Sequence, residues 1–157
     1  MSTTDDSTAP QLGVGAHLKA NIATLKKLMD DLVADDMRAL GLTTGEADVV
    51  SIGMITLDDP PAPTDLANWL SVTTAAIAQR LNSLEEKGLV ERRRHPDDGR
   101  RLTVHLTDAG QQLGAQVLEK RNAAVADAIA TGISEAEAQH IVKVTDRLVV
   151  ALRQIVE

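Results

Sequence analysis

The chain has 157 residues, of which 43% are hydrophobic and 25% are charged, a composition typical of a soluble globular protein of one domain. It contains no Cys, which excludes disulfides, thiol catalysis and Cys-ligated zinc. Phe and Tyr are also absent, and there is one Trp. The lack of aromatic residues also argues against base-stacking platforms for single-stranded nucleic acid. No apolar run approaches the roughly 18 residues of a membrane span, and residues 1–10 are polar, so we expect a cytoplasmic protein without membrane contact.

The formal net charge of −7 is unevenly distributed along the chain. The window from Arg80 to His105 contains seven Lys or Arg and five Asp or Glu, which makes it +2, whereas the remaining residues sum to −9. A basic patch on an acidic body can hold a polyanion at one face. Charge asymmetry alone is weak evidence, because most charge runs are solvated faces.

The N-terminal part predicts a tail followed by a long helix. Residues 1–10 are rich in Ser, Thr and Asp and are predicted to form a disordered tail. Apolar residues then recur at spacings of four and three, which predicts a helix from about residue 12 to 38. Its apolar stripe consists of Leu18, Ile22, Leu25, Met29 and Leu32. Thr43 and Glu46 form a capping-box pattern that opens a second helix, and a proline-rich segment ends it.

Two short helices and a hairpin are predicted in the middle of the chain. Pro63 suits the first position of a helix that ends near Leu70. Thr73 is the predicted N-cap of the next helix, which Gly88 ends. Two strands then flank a turn at residues 95–99, and the second strand alternates, with Leu102, Val104 and Leu106 on one face and Thr103 and His105 on the other. Residues 43–107 therefore predict a helix-turn-helix followed by a two-stranded β wing.

Two further helices are predicted over residues 108–156, opened by Thr107 and by a second capping box at Ser134 and Glu137. The last helix carries an apolar stripe that includes Ile141, Leu148, Leu152 and Ile155. Terminal helices with apolar stripes on so short a chain need a partner surface, so we expect them to be dimerisation helices. The predicted fold is mainly α: one domain over residues 11–157, with a winged helix-turn-helix flanked by N- and C-terminal dimerisation helices.

Three motifs of the central region are distinctive: LEEKGLVER at residues 84–92, PDDGR at 96–100 and LTDAG at 106–110. In this combination the chain resembles the MarR family of bacterial winged-helix transcription regulators. The resemblance implies a homodimer with intertwined terminal helices, whose recognition helices enter successive major grooves of a pseudo-palindromic operator. It also implies a regulator that is more often a repressor and that responds to a small-molecule effector.

The exposed start and outward face of the predicted recognition helix form the candidate base-reading surface, because Ile77, Leu81 and Leu84 face inward. Amides of Gln and Asn can bind adenine edges bidentately, and Ala or Thr methyl groups can touch thymine. Thr hydroxyls and the helix N-terminus suit phosphate. The alternative is an ordinary polar solvent face. The candidate residues are Thr73, Thr74, Ala75, Ala76, Gln79, Arg80 and Asn82.

Arginines of the predicted wing are the second candidate contact. Arg100 at the hairpin tip can enter a narrow minor groove or bind a phosphate, and the family resemblance assigns it that contact. The same resemblance gives Asp98 a role in shaping the wing. Arg94 and Arg101 are candidate helpers. The arginines at residues 92–94 lie on a predicted edge strand. Their alternative role is to prevent this edge from pairing with a strand of another molecule.

Other functional groups are less informative. Glu137 and His140 lie at i, i+3 on a helix, but a metal site would need further ligands, so no metal or cofactor is expected. No nucleophile–base pair or phosphate loop suggests an enzyme. Met29, Met54 and Trp69 either line a ligand pocket between the dimerisation helices and the winged domain or belong to the core.

The favoured function is sequence-specific binding of double-stranded DNA by a homodimeric transcription regulator, with a small apolar or weakly acidic ligand that lowers DNA affinity. One alternative is a winged-helix protein–protein interaction module that does not bind DNA. Another is a small-molecule-binding protein that never touches DNA. The basic wing discriminates against both, because neither needs an arginine at a hairpin tip.

Overall fold

A computed structural model describes residues 13–156, so the predicted tail at residues 1–10 lies outside the described residues. Within this part of the chain, six helices and two strands follow one another. The order is α1 (Val14–Ala39), α2 (Thr44–Ile55), α3 (Pro63–Leu70), α4 (Thr74–Glu86), β1 (Val90–Arg94), β2 (Leu102–Leu106), α5 (Asp108–Gly132) and α6 (Glu135–Val156). The predicted fold class, mainly α with a helix-turn-helix and a two-stranded wing, is confirmed.

The chain divides into two compact units, Met1–Leu32 and Val33–Glu157. In the first unit the described residues form the N-terminal part of α1, and its apolar side chains, from Val14 to Leu32, are exposed. The second unit contains the last turns of α1 and every later element.

Local capping explains where the helices begin. The backbone N–H of Glu46 donates to the Thr43 hydroxyl at 3.1 Å, and the Thr43 N–H donates to the Glu46 carboxylate at 2.8 Å, so the predicted capping box opens α2. Thr73 caps α4 and Thr107 caps α5 in the same way, each hydroxyl accepting from a backbone N–H three residues later. These predicted caps are confirmed.

Two turns with left-handed backbone shape the helix-turn-helix. Ser71 ends α3 with φ 53°, and its N–H donates to the carbonyl of Asn68, which leaves a short connection to α4. Gly88 ends α4 with φ 70°, a conformation that favours glycine. Its N–H donates to the carbonyl of Glu85, and the N–H of Leu89 donates to that of Leu84. The chain thereby leaves α4 directly into the wing.

The core of the second unit lies among α2, α3, α4, the wing and α5. The predicted inner face of α4 is confirmed, because Ile77, Leu81 and Leu84 are completely buried. Val49, Val50 and Leu66 contribute from α2 and α3, and other buried members are Val33, Met37, Val90, Val104 and Val117. Burial of this one continuous cluster holds the recognition helix against the rest of the unit.

The wing is an antiparallel pair in which Val90 faces Leu106 and Arg94 faces Leu102. On the other side of β2, the N–H of Val104 donates to the carbonyl of Pro61 at 2.8 Å. Burial in β2 does not follow polarity at two positions, since Leu102 is exposed at the outer end of the strand and Thr103 is buried. Thr103 tolerates burial because its hydroxyl donates to the carbonyl of Arg93 and lies 2.9 Å from Nε2 of His105.

The last motif of the sequence, LTDAG, joins the wing to α5. The hydroxyl of Thr107 donates to the carbonyl of Gly88 at 2.7 Å and accepts from the N–H of Gly110 at 3.0 Å. A Cβ at position 110 would lie 1.9 Å from the carbonyl oxygen of Leu89. Glycine is therefore required for the close approach of α5 to the start of β1.

The last helix, α6, begins at the predicted capping box of Ser134 and Glu137 and contains no fully buried residue in the described range. Among residues 13–156, no helix is both long and apolar enough to cross a membrane.

Candidate nucleic-acid interface

α4, the predicted recognition helix, exposes most of the residues predicted to read DNA. Thr73, Thr74, Ala75, Gln79 and Asn82 are exposed, and Ala76 is half-buried. This distribution follows from the helical period, because the buried positions 77, 81 and 84 lie on the opposite face. Apart from Arg80, the predicted residues therefore lie together at the start and on the outward face of α4.

Arg80 lies apart from that group. Its guanidinium packs against the first turn of α2, beside Gly45. The contact is so close that a Cβ at position 45 would lie 2.6 Å from Nε of Arg80. Its Nη1 is buried without a hydrogen-bond partner among the described residues. The structure thus places the side chain of Arg80 against α2 rather than beside Gln79 on the outward face.

Asp98 organises the wing tip. One of its carboxylate oxygens accepts from the N–H of Arg100 at 3.0 Å, and its backbone carbonyl accepts from the N–H of Arg101 at 2.9 Å. Nη1 of Arg94 also donates across the turn to the carbonyl of Gly99 at 2.7 Å. These contacts hold the tip in one shape, so Arg94 acts on the turn as well as contributing charge.

The two arginines at the tip have different surroundings. Arg100 is exposed, and no hydrogen bond or ion pair engages its guanidinium within residues 13–156. Nη2 of Arg101 lies 3.2 Å from Oδ2 of Asp65, the carboxylate oxygen that also accepts from the N–H of Ala62 at the start of α3. Arg100 therefore presents an exposed cationic head, and Arg101 links the wing to α3.

Arg92 forms a connection that the sequence did not reveal. Its Nη1 donates to Glu85 at 2.9 Å, and its Nη2 donates to Oδ1 of Asn82 at 2.9 Å and to the carbonyl of Ala78 at 3.4 Å. The backbone N–H of Arg92 donates to the same Glu85 carboxylate at 3.2 Å. One arginine of β1 therefore binds three successive turns of α4.

A second missed contact joins the C-terminal end of α4 to the start of α2. Nζ of Lys87 lies 2.8 Å from both carboxylate oxygens of Glu46, and the Ser83 hydroxyl donates to Oε1 at 2.6 Å. Burial raises the pKa of Glu46, but the hydrogen bonds from Lys87, Ser83 and the Thr43 N–H outweigh it and lower the pKa to about 2. The buried carboxylate is therefore charged and ties the recognition helix to α2.

A groove of about 440 Å³ lies beside the wing, between the end of α2, the strands and the start of α5. Its lining includes four titratable side chains, Glu91, Arg93, His105 and Asp108. Burial lowers the pKa of His105, and the charge of Arg93 lowers it further against the opposing effect of Glu91. None of the residues predicted to line a ligand pocket borders this groove: Trp69 is half-exposed on α3, and Met54 packs against Gly114.

The predicted dimerisation residues are largely uncovered. Leu18, Ile22 and Leu25 are 39–57% exposed on α1, and Ile141, Leu152 and Ile155 are 51–78% exposed on α6. Leu148 is half-buried. Glu137 and His140 do not belong to any cluster of three potential metal ligands within residues 13–156.

Comparison with known proteins agrees with this architecture. The MarR family model matches residues 55–102. Two proteins of Bacillus subtilis strain 168 are similar: the uncharacterized HTH-type transcriptional regulator YdgJ, 41% identical over 54 residues, and the HTH-type transcriptional repressor YetL, 28% identical over 95 residues. These matches cover 34% and 60% of this chain and span only 33% and 57% of the two relatives.

The fold is that of solved MarR structures. A mutant MarR from E. coli, complexed with operator DNA, superposes with a TM-score of 0.67 at 22% identity, covering 84% of this chain and 93% of that chain. The helix-turn-helix, the wing and the joint at Gly110 contain the motifs on which the resemblance rested. Family model, relatives and fold together confirm the resemblance of this chain to the MarR family.

Proposed function

We propose that the chain is a cytoplasmic transcription regulator that binds double-stranded DNA sequence-specifically. The observation that carries this proposal is the division of α4 into a fully buried face and an exposed face with Thr74, Ala75 and Gln79. In a helix-turn-helix, an outward face of this kind enters the major groove, where amide and methyl groups read base edges. The exposed guanidinium of Arg100 then supplies a contact to phosphate or the minor groove.

The relatives support a repressor on an operator. YetL is a transcriptional repressor, and the E. coli MarR mutant is complexed with operator DNA. By analogy, we infer that this chain acts by occupying an operator of two half-sites rather than by catalysis.

The uncovered apolar faces support a homodimer. Leu25 of α1 and Leu152 of α6 are more than half exposed, and their neighbours along both helices are similarly uncovered. An exposed apolar stripe of this kind on a helix marks an interaction site, and two-fold symmetry is the commonest arrangement of oligomers. A dimer also explains how two recognition helices would reach half-sites one helical turn apart.

A ligand response completes the proposal. A small apolar or weakly acidic molecule would favour a dimer with mis-spaced recognition helices and thereby lower DNA affinity. The groove beside the wing has a polar lining and does not supply the site for an apolar ligand, so the site of this ligand is left open. Trp69, half-exposed on α3, provides a fluorescence signal for binding.

Selection of bound sequences from random duplex DNA tests the proposal. We expect enrichment of a pseudo-palindrome with half-sites about 10 base pairs apart. Gln79→Ala should then cost about 1–3 kcal/mol on the selected site and relax one position per half-site. A protein that enriches no sequence, and whose affinity for duplex DNA does not depend on salt, would instead be the protein–protein interaction module.

A further inference from the structure

The contact between Arg92 and Asn82 constrains how the recognition helix can read a base. Nη2 of Arg92 donates to Oδ1 of Asn82 at 2.9 Å. The guanidinium is itself held by the Glu85 carboxylate, and this ion pair is about two-thirds buried or more. Arg92 is therefore a fixed donor beside an exposed reading residue rather than a mobile surface charge.

The chemistry of the two groups decides the orientation of the amide. A guanidinium has five N–H donors and no acceptor, whereas an Asn amide has an oxygen that accepts through two lone pairs and an NH₂ group that donates. The Asn82 oxygen must therefore face Arg92, and the NH₂ group is left for another partner. Because the bond to Arg92 is charge-assisted, it is stronger than the neutral hydrogen bond that a base would offer to the same oxygen.

Bidentate recognition of adenine requires both halves of an amide, the oxygen for N6–H and the nitrogen for N7. At Asn82 the bond from Arg92 holds the oxygen toward β1, so the oxygen and the NH₂ group cannot both be turned to one base edge, and the NH₂ group is the half left to face a base. In the major groove, acceptors are offered by guanine at N7 and O6, by adenine at N7 and by thymine at O4, whereas cytosine offers only its N4–H₂ donor.

We infer that Arg92 fixes the amide of Asn82 so that Asn82 reads its base as a hydrogen-bond donor, favouring guanine and rejecting cytosine on the contacted strand. Asn82 is thus one specificity residue of α4, beside Gln79, and Arg92 is a positioning residue that acts through Asn82. The inference rests on the proposed DNA binding, and it replaces the expectation that Asn82 binds adenine bidentately.

Four variants and the wild type in one binding-site selection test this inference. Asn82→Ala removes the reader. Arg92→Met removes the donor, and Arg92→Lys keeps a cation for Glu85 without the planar fork that bridges to Asn82. Arg93→Met is the matched control, because Arg93 is the exposed neighbour on β1 that pairs with Glu91 instead. Thermal unfolding identifies any variant that does not fold, and Arg92→Lys then provides the result.

In the wild type we expect one position per half-site that favours guanine over cytosine by about fivefold, the effect of one hydrogen bond. Asn82→Ala should abolish the preference there and nowhere else. Arg92→Met and Arg92→Lys should shift the same position toward adenine, because the released amide becomes bidentate. Arg93→Met should leave the position unchanged.

Three results would overturn the inference. The first is an operator in which no base position depends on Asn82, and the second is an Asn82-dependent position that already selects adenine in the wild type. The third is a guanine preference that both Arg92 variants keep. Enrichment of an operator without an Asn82-dependent position refutes this inference alone. If the wild type enriches no sequence at all, the proposed DNA binding fails with it.

Discussion

Glu46 shows how a residue with one local role acquires a second, long-range role. In the chain it is the fourth member of a capping box, and in the fold it also accepts from Ser83 and Lys87 at the far end of α4. Lys87 in turn donates to the carbonyl of Gly41, between α1 and α2. One carboxylate therefore connects the start of α2 with the end of the recognition helix.

This carboxylate predicts a dependence of stability on pH. The pKa of Glu46 falls from 4.5 to about 2 on folding. The ionised carboxylate therefore adds its full share to the free energy of unfolding above about pH 4.5, and this share is lost as the pH falls from there through about 2. Glu46→Gln should lower the free energy of unfolding by about 3 kcal/mol near neutral pH and flatten its decline in acid. Urea titrations at a series of pH values measure both effects.

Glu137→Gln is the matched control for that experiment. Glu137 has the same capping-box role, opposite Ser134, but it is exposed and has no cation in contact within the described residues. Its substitution should change stability far less. If wild type and Glu46→Gln lost stability in parallel between about pH 5 and 2, the buried pair would not be the source of the pH dependence.

Arg100 predicts an effect on DNA affinity without an effect on folding. Its head is exposed and unpaired within the described residues, so Arg100→Ala should leave the unfolding midpoint nearly unchanged. Affinity for operator and unrelated duplex should fall alike. The slope of log K against log[salt] should decrease by about 1 per wing engaged, hence by about 2 for a dimer.

Titrations across a salt series check this expectation, with Arg38→Ala as the control. Arg38 is also an exposed arginine, paired with Asp35 at the end of α1, so its loss changes the net charge equally. A reduced slope for Arg100→Ala alone supports a wing contact. Equal slopes for wild type and both variants would show that the wing does not touch DNA.

At the scale of elements, the joint between the wing and α5 depends on the smallest side chain. A Cβ at position 110 would overlap the backbone carbonyl of Leu89, which cannot rotate away as a side chain would. Gly110→Ala should therefore destabilise the protein by about 3 kcal/mol, because either β1 or α5 must move. Chemical denaturation followed by circular dichroism measures the change.

Gly132→Ala is the control for this prediction. Gly132 ends the same helix, and a Cβ there would meet no atom of the described residues within 4 Å. Alanine should be neutral or stabilise the helix by about 0.5–1 kcal/mol. Similar losses of stability for the two variants would contradict the close approach at Leu89 as the cause.

The elements themselves could be predicted from the sequence because their ends are encoded locally. Thr73, Thr107 and Gly88 act within three or four residues of their own positions, and each lies where the pattern placed it. The contacts across the site could not be predicted in this way. Lys87 meets Glu46 across 41 residues, and that meeting depends on how α2 packs against α4.

The same limit applies to the candidate site. Helical periodicity predicted which residues of α4 face outward, including Gln79 and Asn82. Periodicity does not determine where a long side chain ends, so Arg80 packs against Gly45 and Arg92 reaches back to α4 instead of solvent. Thr103 is buried for a related reason, because hydrogen bonds satisfy its hydroxyl in the wing.

At the scale of the whole molecule, the most unusual feature for a monomer is the exposure of apolar side chains along α1 and α6. α6 extends over 22 residues with no fully buried residue in its described part, and α1 exposes its apolar side chains from Val14 to Leu32. Helices of this kind are seldom stable in water without a partner surface.

These faces predict that the intact protein dimerises at micromolar concentration and that charges on them prevent it. Leu25→Glu and Leu152→Glu are suitable changes because the two side chains are 57% and 51% exposed, so each substitution spares the core of one chain. Ile55→Glu is the control, since Ile55 is 77% exposed at the end of α2, outside both helices.

Sedimentation should give a dimer for wild type and control and a monomer for the double variant. The double variant should also lose tight operator binding, because one recognition helix makes only half of the contacts. A wild-type protein that sediments as a stable, fully folded monomer would refute the assignment of these helices to a dimer interface.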